Sequence, residues 1–215
     1  MKLSKYIDHT LLRADAKKSE IEKICDQAVK NDFATVMVNP CWISFVKEKL
    51  SGTNVMAACV IGFPLGANTT AVKVFETQDA IAKGADEIDM VINIGQLKDK
   101  NDSYVIDEIR QVKMAAGSHT LKVIIETCLL TDEEKVRACK DIALAGADFA
   151  KTSTGFSKAG ATVSDVKLMK KALEGSDVKV KAAGGIKCEA DFKAMIEAGA
   201  ERIGTSAGAA CLGAE

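Results

Sequence analysis

Short apolar runs rich in β-branched residues alternate along the chain with longer segments whose apolar positions recur at helical spacing. The runs predict strands over 7–11, 34–38, 55–61, 87–92, 121–126, 148–152, 178–182 and 202–204. The middle runs are almost continuously apolar, as expected of parallel strands covered on both faces. Between them, helices are predicted over 19–30, 42–50, 69–83, 103–116, 163–174 and 189–198. Within the first, Ile21, Ile24, Cys25, Ala28 and Val29 fall close to a helical period. A further helix begins at Thr131-Asp132-Glu133-Glu134, where Thr131 is placed to accept from the Glu134 amide and Glu134 to reach back.

A short repeat reinforces the alternation. Gly84-Ala85-Asp86, Gly146-Ala147-Asp148 and Gly199-Ala200-Glu201 each follow a helix and precede a strand. Glycine there suits a left-handed helix terminus. Successive copies enclose two strand–helix units each. Eight such units predict an α/β chain closed into a (β/α)8 TIM barrel, one domain over residues 1–215. An open doubly wound sheet is the alternative, but no strand–GxGxxG–helix fingerprint is present.

Composition removes other classes. The net charge is −1, aromatic residues make up 5%, and no long basic run occurs, so nucleic acid is not an expected partner. Met1-Lys2-Leu3-Ser4-Lys5-Tyr6 lacks the apolar core of a signal peptide, and no apolar run is long enough to span a bilayer. A cytoplasmic protein with no membrane partner is expected. The seven cysteines are scattered, odd in number and free of CxxC pairs, which argues against a disulfide framework or a zinc site. With only His9 and His119, no histidine-rich metal site is expected. Cys41 follows Asn39-Pro40 at a strand end, where it either faces the site or packs.

Barrel active sites lie at the C-terminal ends of the strands. Five charged residues stand in or at the end of apolar runs: Asp8, Asp89, Glu126, Lys151 and Lys181. A buried charge is costly unless paired, so these groups are expected to converge. Lys151 and Lys181 fall on the sixth and seventh predicted strands, neighbours in a barrel. Each disfavours the other's charged form, and burial adds to this. A lysine held partly as free amine attacks a carbonyl to form a Schiff base. The competing reading is that each lysine extends its charge to solvent from a strand end. Asp89 either completes a structural ion pair or moves a proton in the carbinolamine step. Asp8 and Glu126 read as structural partners of a polar barrel mouth, and His9 as a strand-end hydrogen-bonding residue. Three small-residue loops follow the last three strands: Thr152-Ser153-Thr154-Gly155, Ala183-Gly184-Gly185-Ile186 and Gly204-Thr205-Ser206-Ala207-Gly208. Backbone amides in such loops approach an anion closely, and the loops after strands seven and eight are a common phosphate site. A small phosphorylated aldehyde or sugar is the expected partner.

At these residues the chain resembles the deoxyribose-phosphate aldolase family of Schiff-base aldolases. The resemblance runs from Ile7-Asp8-His9-Thr10-Leu11-Leu12 to Arg202-Ile203-Gly204-Thr205-Ser206. It includes Val38-Asn39-Pro40, Asp89-Met90-Val91-Ile92-Asn93, Lys122 to Thr127, Lys151-Thr152-Ser153-Thr154-Gly155 and Lys181-Ala182-Ala183-Gly184-Gly185-Ile186. It implies reversible cleavage of 2-deoxy-D-ribose 5-phosphate to D-glyceraldehyde 3-phosphate and acetaldehyde, without metal or organic cofactor. It further implies Lys151 as the Schiff-base lysine, Lys181 as the group that depresses it, and Asp89 in proton transfer. Gly155, Gly184, Gly185, Gly204 and Ser206 would bind the phosphate, and Asp8 and Thr10 would order the other end. A homodimer is implied as well. The choice of nucleophile comes from the resemblance alone. Family members commonly carry a flexible tail ending in tyrosine, whereas this sequence runs to Gly213-Ala214-Glu215 and holds only Tyr6 and Tyr104. Slower cleavage, or another group or water moving that proton, is therefore expected. Two other readings remain: a transaldolase-like or ketose-phosphate aldolase, and a non-catalytic sugar-phosphate-binding barrel.

Overall fold

The computed structural model describes residues 2–213; Met1 and residues 214 and 215 lie outside it, and with them the chain end on which the tail expectation falls. Eight parallel strands close into a barrel in sequence order: β1 (Ile7–Leu11), β2 (Thr35–Val38), β3 (Met56–Ile61), β4 (Glu87–Val91), β5 (Thr120–Ile124), β6 (Phe149–Lys151), β7 (Lys179–Ala183) and β8 (Arg202–Thr205). The helices are α1 (Lys18–Asn31), α2 (Ile43–Lys49), α3 (Thr70–Ala82), α4 (Ile94–Lys98), α5 (Asp102–Ala116), α6 (Asp132–Ala145), α7 (Val163–Ala172), α8 (Glu189–Glu197) and α9 (Gly208–Cys211). The closed sheet excludes the open-sheet alternative. No helix among the described residues is long and apolar enough to cross a membrane.

Alternation along the strands splits the core in two. Residues such as Val36, Cys59, Ile88, Leu121, Val180 and Ile203 join one large apolar cluster with the helices. Met37, Ala58 and Val60, of opposite parity on β2 and β3, form a small separate cluster with Leu12. Charged residues share this inward parity on the other strands: Asp8, Glu87, Asp89, Lys122, Lys151, Lys181 and Arg202. The expected capping box of α6 forms: the Glu134 amide donates to Thr131 Oγ1 at 3.3 Å, and the Thr131 amide to Glu134 Oε2 at 2.8 Å.

The repeated tripeptide has a physical reason at each of its ends. Gly84, Gly146 and Gly199 have φ of +101°, +80° and +109°, in the region that side chains avoid. In the first two copies the acid, just ahead of its own strand, accepts from a backbone amide of the neighbouring strand. Asp86 Oδ2 accepts from the Ala57 amide at 2.9 Å, and Asp148 Oδ2 from the Leu121 amide at 2.7 Å. Lys47 and Lys113 balance these carboxylates, each at 2.6 Å.

One predicted strand end moves and two short helices lie outside the predicted pattern, each for a local reason. The fifth strand ends at Ile124 because Glu126 adopts a left-handed conformation, φ +56°. The single-turn helices α4 and α9 are absent from the pattern because four or five residues carry too little periodicity.

Candidate active site

The charged interior is a single network contributed by β1, β4, β5, β6, β7 and β8. Strand register sets it up: Asp89 pairs with Lys122, Lys151 with Lys181, and Lys181 with Arg202 across adjacent strands. Asp89 is fully buried and accepts from three ammonium groups: Lys181 at 2.7 Å, Lys151 at 2.8 Å and Lys122 at 3.0 Å. Lys181 is also paired with Asp8. Lys122 is paired with Glu87 and lies 3.8 Å from Asp8. Arg202 bridges Asp8 at 2.6 Å and Glu87 at 2.9 Å. From β2, Thr35 donates to Asp8 at 2.8 Å.

Stoichiometry decides what this network does. Four cations, Lys122, Lys151, Lys181 and Arg202, meet three carboxylates, Asp8, Glu87 and Asp89. One positive charge is in surplus. Lys151 is the least compensated cation, since among the described residues it touches Asp89 alone. Loss of its proton restores the balance. Burial pushes the Lys151 ammonium down; Asp89 opposes this and Lys181 adds to it, leaving the value at about 8. Burial is thus the larger cause and Lys181 a secondary one. Burial works against the Asp89 anion too, but Lys122, Lys151 and Lys181 outweigh it and hold the carboxyl well below its ordinary range. Asp8 behaves alike, with Arg202 the strongest of its cations. Asp89 is therefore held as an ionised carboxylate that accepts hydrogen bonds from all three lysines.

Lys151 also borders a cavity of about 480 Å³, within the usual span of small-ligand sites of roughly 300–1,000 Å³. Its walls come from the ends of β1, β6, β7 and β8: Thr10 to Arg13, Thr154 to Phe156, Ala183 to Lys187, and Gly204 to Ser206. Gly155, Gly184 and Gly185 have φ of +85°, +86° and +82°. Gly204 is needed for room, because a Cβ there would lie 3.0 Å from Ala183 Cβ and 3.4 Å from Lys181 Cε. Clefts of about 670 and 430 Å³ open at the other end of the barrel, around Asp86 and Asp148, remote from Lys151.

The residues singled out in the sequence fall into two sets. Thr10, Lys151, Gly155, Gly184, Gly185, Gly204 and Ser206 line the cavity. Asp8, Asp89 and Lys181 lie beneath it, fully buried. Asp8 is engaged by Arg202, Lys181 and Thr35, and it orders the cavity floor without lining it. Glu126 is outside the lining of this cavity and holds Thr154, which is part of it. His9 Nε2 pairs with Gln27 at 2.8 Å, and Cys41 is exposed, away from the cavity.

Lys122, Glu87 and Arg202 were not singled out by the sequence reading. They stand first or second in their apolar runs, where a charge reads as part of the preceding loop. The usable signal was parity: Glu87 lies two residues from Asp89, on the same strand face. Gly160 also escaped notice; a Cβ there would come 2.2 Å from the Gly184 carbonyl oxygen, so it permits two site loops to touch.

A closed barrel with a depressed lysine at the floor of an open cavity has the architecture of a barrel aldolase, a carbon–carbon lyase. The model of the DeoC/LacD family aldolases matches residues 2–214. The chain belongs to this family. Deoxyribose-phosphate aldolase 1 of Mesoplasma florum is 58% identical over 215 residues, covering 100% of this chain and 97% of the relative. Among solved structures, QR15, an aldolase, superposes with a TM-score of 0.93 at 40% identity, covering 98% of this chain and 94% of the other. Deoxyribose phosphate aldolase from Aeropyrum pernix, described as a unique tetramer, gives 0.87 at 31% identity, with 98% and 89% covered.

Proposed function

We propose that the chain reversibly cleaves 2-deoxy-D-ribose 5-phosphate to D-glyceraldehyde 3-phosphate and acetaldehyde through a Schiff base on Lys151. The observation that carries this reading is a lysine titrating at about 8, next to Asp89, at the floor of a glycine-walled cavity. The free amine of Lys151 adds to C1 of the open-chain sugar. Asp89 accepts a proton from the resulting ammonium, and Lys181 keeps Asp89 ionised and oriented. Asp89 returns that proton to the carbinolamine oxygen, and with one more proton from solvent the oxygen leaves as water and gives the iminium. Breaking C2–C3 then sends the bonding pair into the iminium while the C3 hydroxyl gives its proton to a water molecule, which can return it to C2 in the next step. Glyceraldehyde 3-phosphate departs, the enamine takes a proton at C2, and hydrolysis releases acetaldehyde and the Lys151 amine.

The phosphate is assigned to Gly155, Gly184, Gly185, Gly204 and Ser206, whose small side chains leave amides and hydroxyls open to an anion. Thr10 is assigned to the sugar, with Asp8 acting through the floor. The enzyme is read as one cytoplasmic barrel domain over 1–215 that self-associates, which light scattering in solution tests.

The substrate assignment is tested by supplying 2-deoxyribose 5-phosphate and quantifying both aldehydes. Stoichiometric acetaldehyde and glyceraldehyde 3-phosphate are expected, with acetaldehyde serving as donor in the reverse direction. Turnover with dihydroxyacetone phosphate as donor, and none with acetaldehyde, would overturn it in favour of a ketose-phosphate aldolase.

A further inference from the structure

Glu126 is a buried carboxylate outside the network around Asp89, and the reaction sequence gives it no step. It is 3% exposed, and among the described residues no lysine or arginine pairs with it. Its backbone is left-handed, φ +56°, which is unfavourable for a residue with a Cβ. Residues held this way persist where the surroundings require them, often beside a functional site.

The surroundings here are specific. The amide of Ile125 donates to the Lys151 carbonyl at 3.0 Å, and the amide of Thr127 to the Thr152 carbonyl at 2.9 Å. Glu126 therefore sits between two backbone bonds that fix the lysine segment. Its side chain reaches two residues further along that segment. Oε1 accepts from the Thr154 amide at 3.2 Å, and Oε2 accepts from the Thr154 hydroxyl. Thr154 Oγ1 in turn accepts from the Phe156 amide at 3.0 Å. The chain Glu126–Thr154–Phe156 thus fixes the turn around Gly155, whose three residues form one cavity wall.

We infer that Glu126 is a positioning residue that sets substrate affinity by holding the Thr154–Phe156 wall, and that its left-handed backbone is retained for this anchor. Glycine would fit the backbone with less strain but would lack the carboxylate. The inference rests on the reading of this wall as part of the phosphate site.

The test compares Glu126→Gly and Glu126→Gln with the parent protein. Glu126→Gly is expected to fold with an unchanged melting temperature and to raise KM for 2-deoxyribose 5-phosphate by about tenfold, with kcat within about threefold. KM for unphosphorylated 2-deoxyribose should stay within about twofold, because that sugar does not use the phosphate wall. Borohydride trapping of acetaldehyde on Lys151 should keep its yield and its pH midpoint. Glu126→Gln retains one acceptor oxygen and should recover part of the affinity. Titration with inorganic phosphate gives the same comparison without turnover, and the glycine variant should bind it about tenfold more weakly.

Unchanged KM and phosphate affinity in Glu126→Gly would overturn the proposal. So would parallel loss of trapping and cleavage in both variants, which marks a purely structural role. A parent protein that binds phosphate and traps acetaldehyde but leaves the sugar phosphate intact would instead contradict the substrate reading, with the phosphate titration still deciding the role of Glu126.

Discussion

Two buried ionic clusters in this protein use the same residue types to opposite effect. Behind β4, Lys73 of α3 and Glu108 of α5 form a sealed pair at 2.9 Å, both fully buried. Lys73 also donates to the Val91 carbonyl at 2.8 Å, and Glu108 accepts from the Asn93 amide at 3.0 Å. Burial pushes the Lys73 ammonium down, as it does that of Lys151. Yet Lys73 has its own carboxylate and borders no cavity near the site. Inside the barrel, Lys151 shares Asp89 with two other lysines and faces open space. A lowered lysine is therefore not by itself a nucleophile. Surplus charge and access together distinguish one cluster from the other.

The sharpest way to break this comparison is to remove the surplus lysine. Lys151→Ala is expected to lower kcat/KM by at least about 10³-fold, because no other amine faces the cavity with the same geometry. Its folding stability at pH 7 should hold or rise. The folded value of about 8 lies below the ordinary 10.5, so the folded state binds fewer protons between them. The penalty is full below pH 8 and is relieved as pH rises toward 10.5. Denaturant unfolding checks this; a destabilised Lys151→Ala would contradict the surplus.

Asp89→Asn is expected to lower turnover by about 10²-fold, through loss of the proton acceptor. It should also destabilise by about 3 kcal/mol, because three ammonium groups lose their shared partner. Single-turnover rates and urea midpoints measure the two effects separately.

Lys73→Met should cost a similar amount of stability, about 3 kcal/mol, and leave kcat within about twofold at a temperature where the variant is folded. Adding Glu108→Leu should return much of that loss. A Lys73→Met enzyme that folds but loses turnover would erase the distinction between the clusters.

The smallest effect concerns Asp141 on α6. Burial, then the nearby Asp102 carboxylate, pushes Asp141 up to about 7, above its ordinary 3.8. The folded state binds more protons between those values, so this residue's contribution falls as pH rises from about 4 through 7. Asp141→Asn should therefore stabilise the protein by about 1 kcal/mol at pH 8 and change little at pH 4. Thermal melts at the two pH values decide it.

The middle strands are legible in the sequence because near-continuous apolar runs are a strong signal in a doubly covered sheet, whereas β1 (Ile7–Leu11) and β8 (Arg202–Thr205) are short, mixed runs that the strand–helix alternation alone picks out. The convergence of Asp89, Lys151 and Lys181 was legible too, since each interrupts such a run. What escaped was the lower layer of the network. Lys122 is the second residue of Leu121-Lys122-Val123, and Arg202 follows a turn that reads as surface. Their burial becomes evident only when register places Lys122 beside Asp89 and Arg202 beside Lys181. Which lysine is least compensated is a property of that three-dimensional count, and no strand pattern contains it.

The central claim is that Lys151 is made reactive by charge surplus and burial. Borohydride trapping of acetaldehyde as a function of pH, with the adduct located by peptide mass spectrometry, tests it most directly. The expected result is an ethyl adduct on Lys151 whose formation rate rises with a midpoint near pH 8. An adduct on Lys181, scattered labelling of surface lysines, or a midpoint near the ordinary lysine value of 10.5 would contradict it.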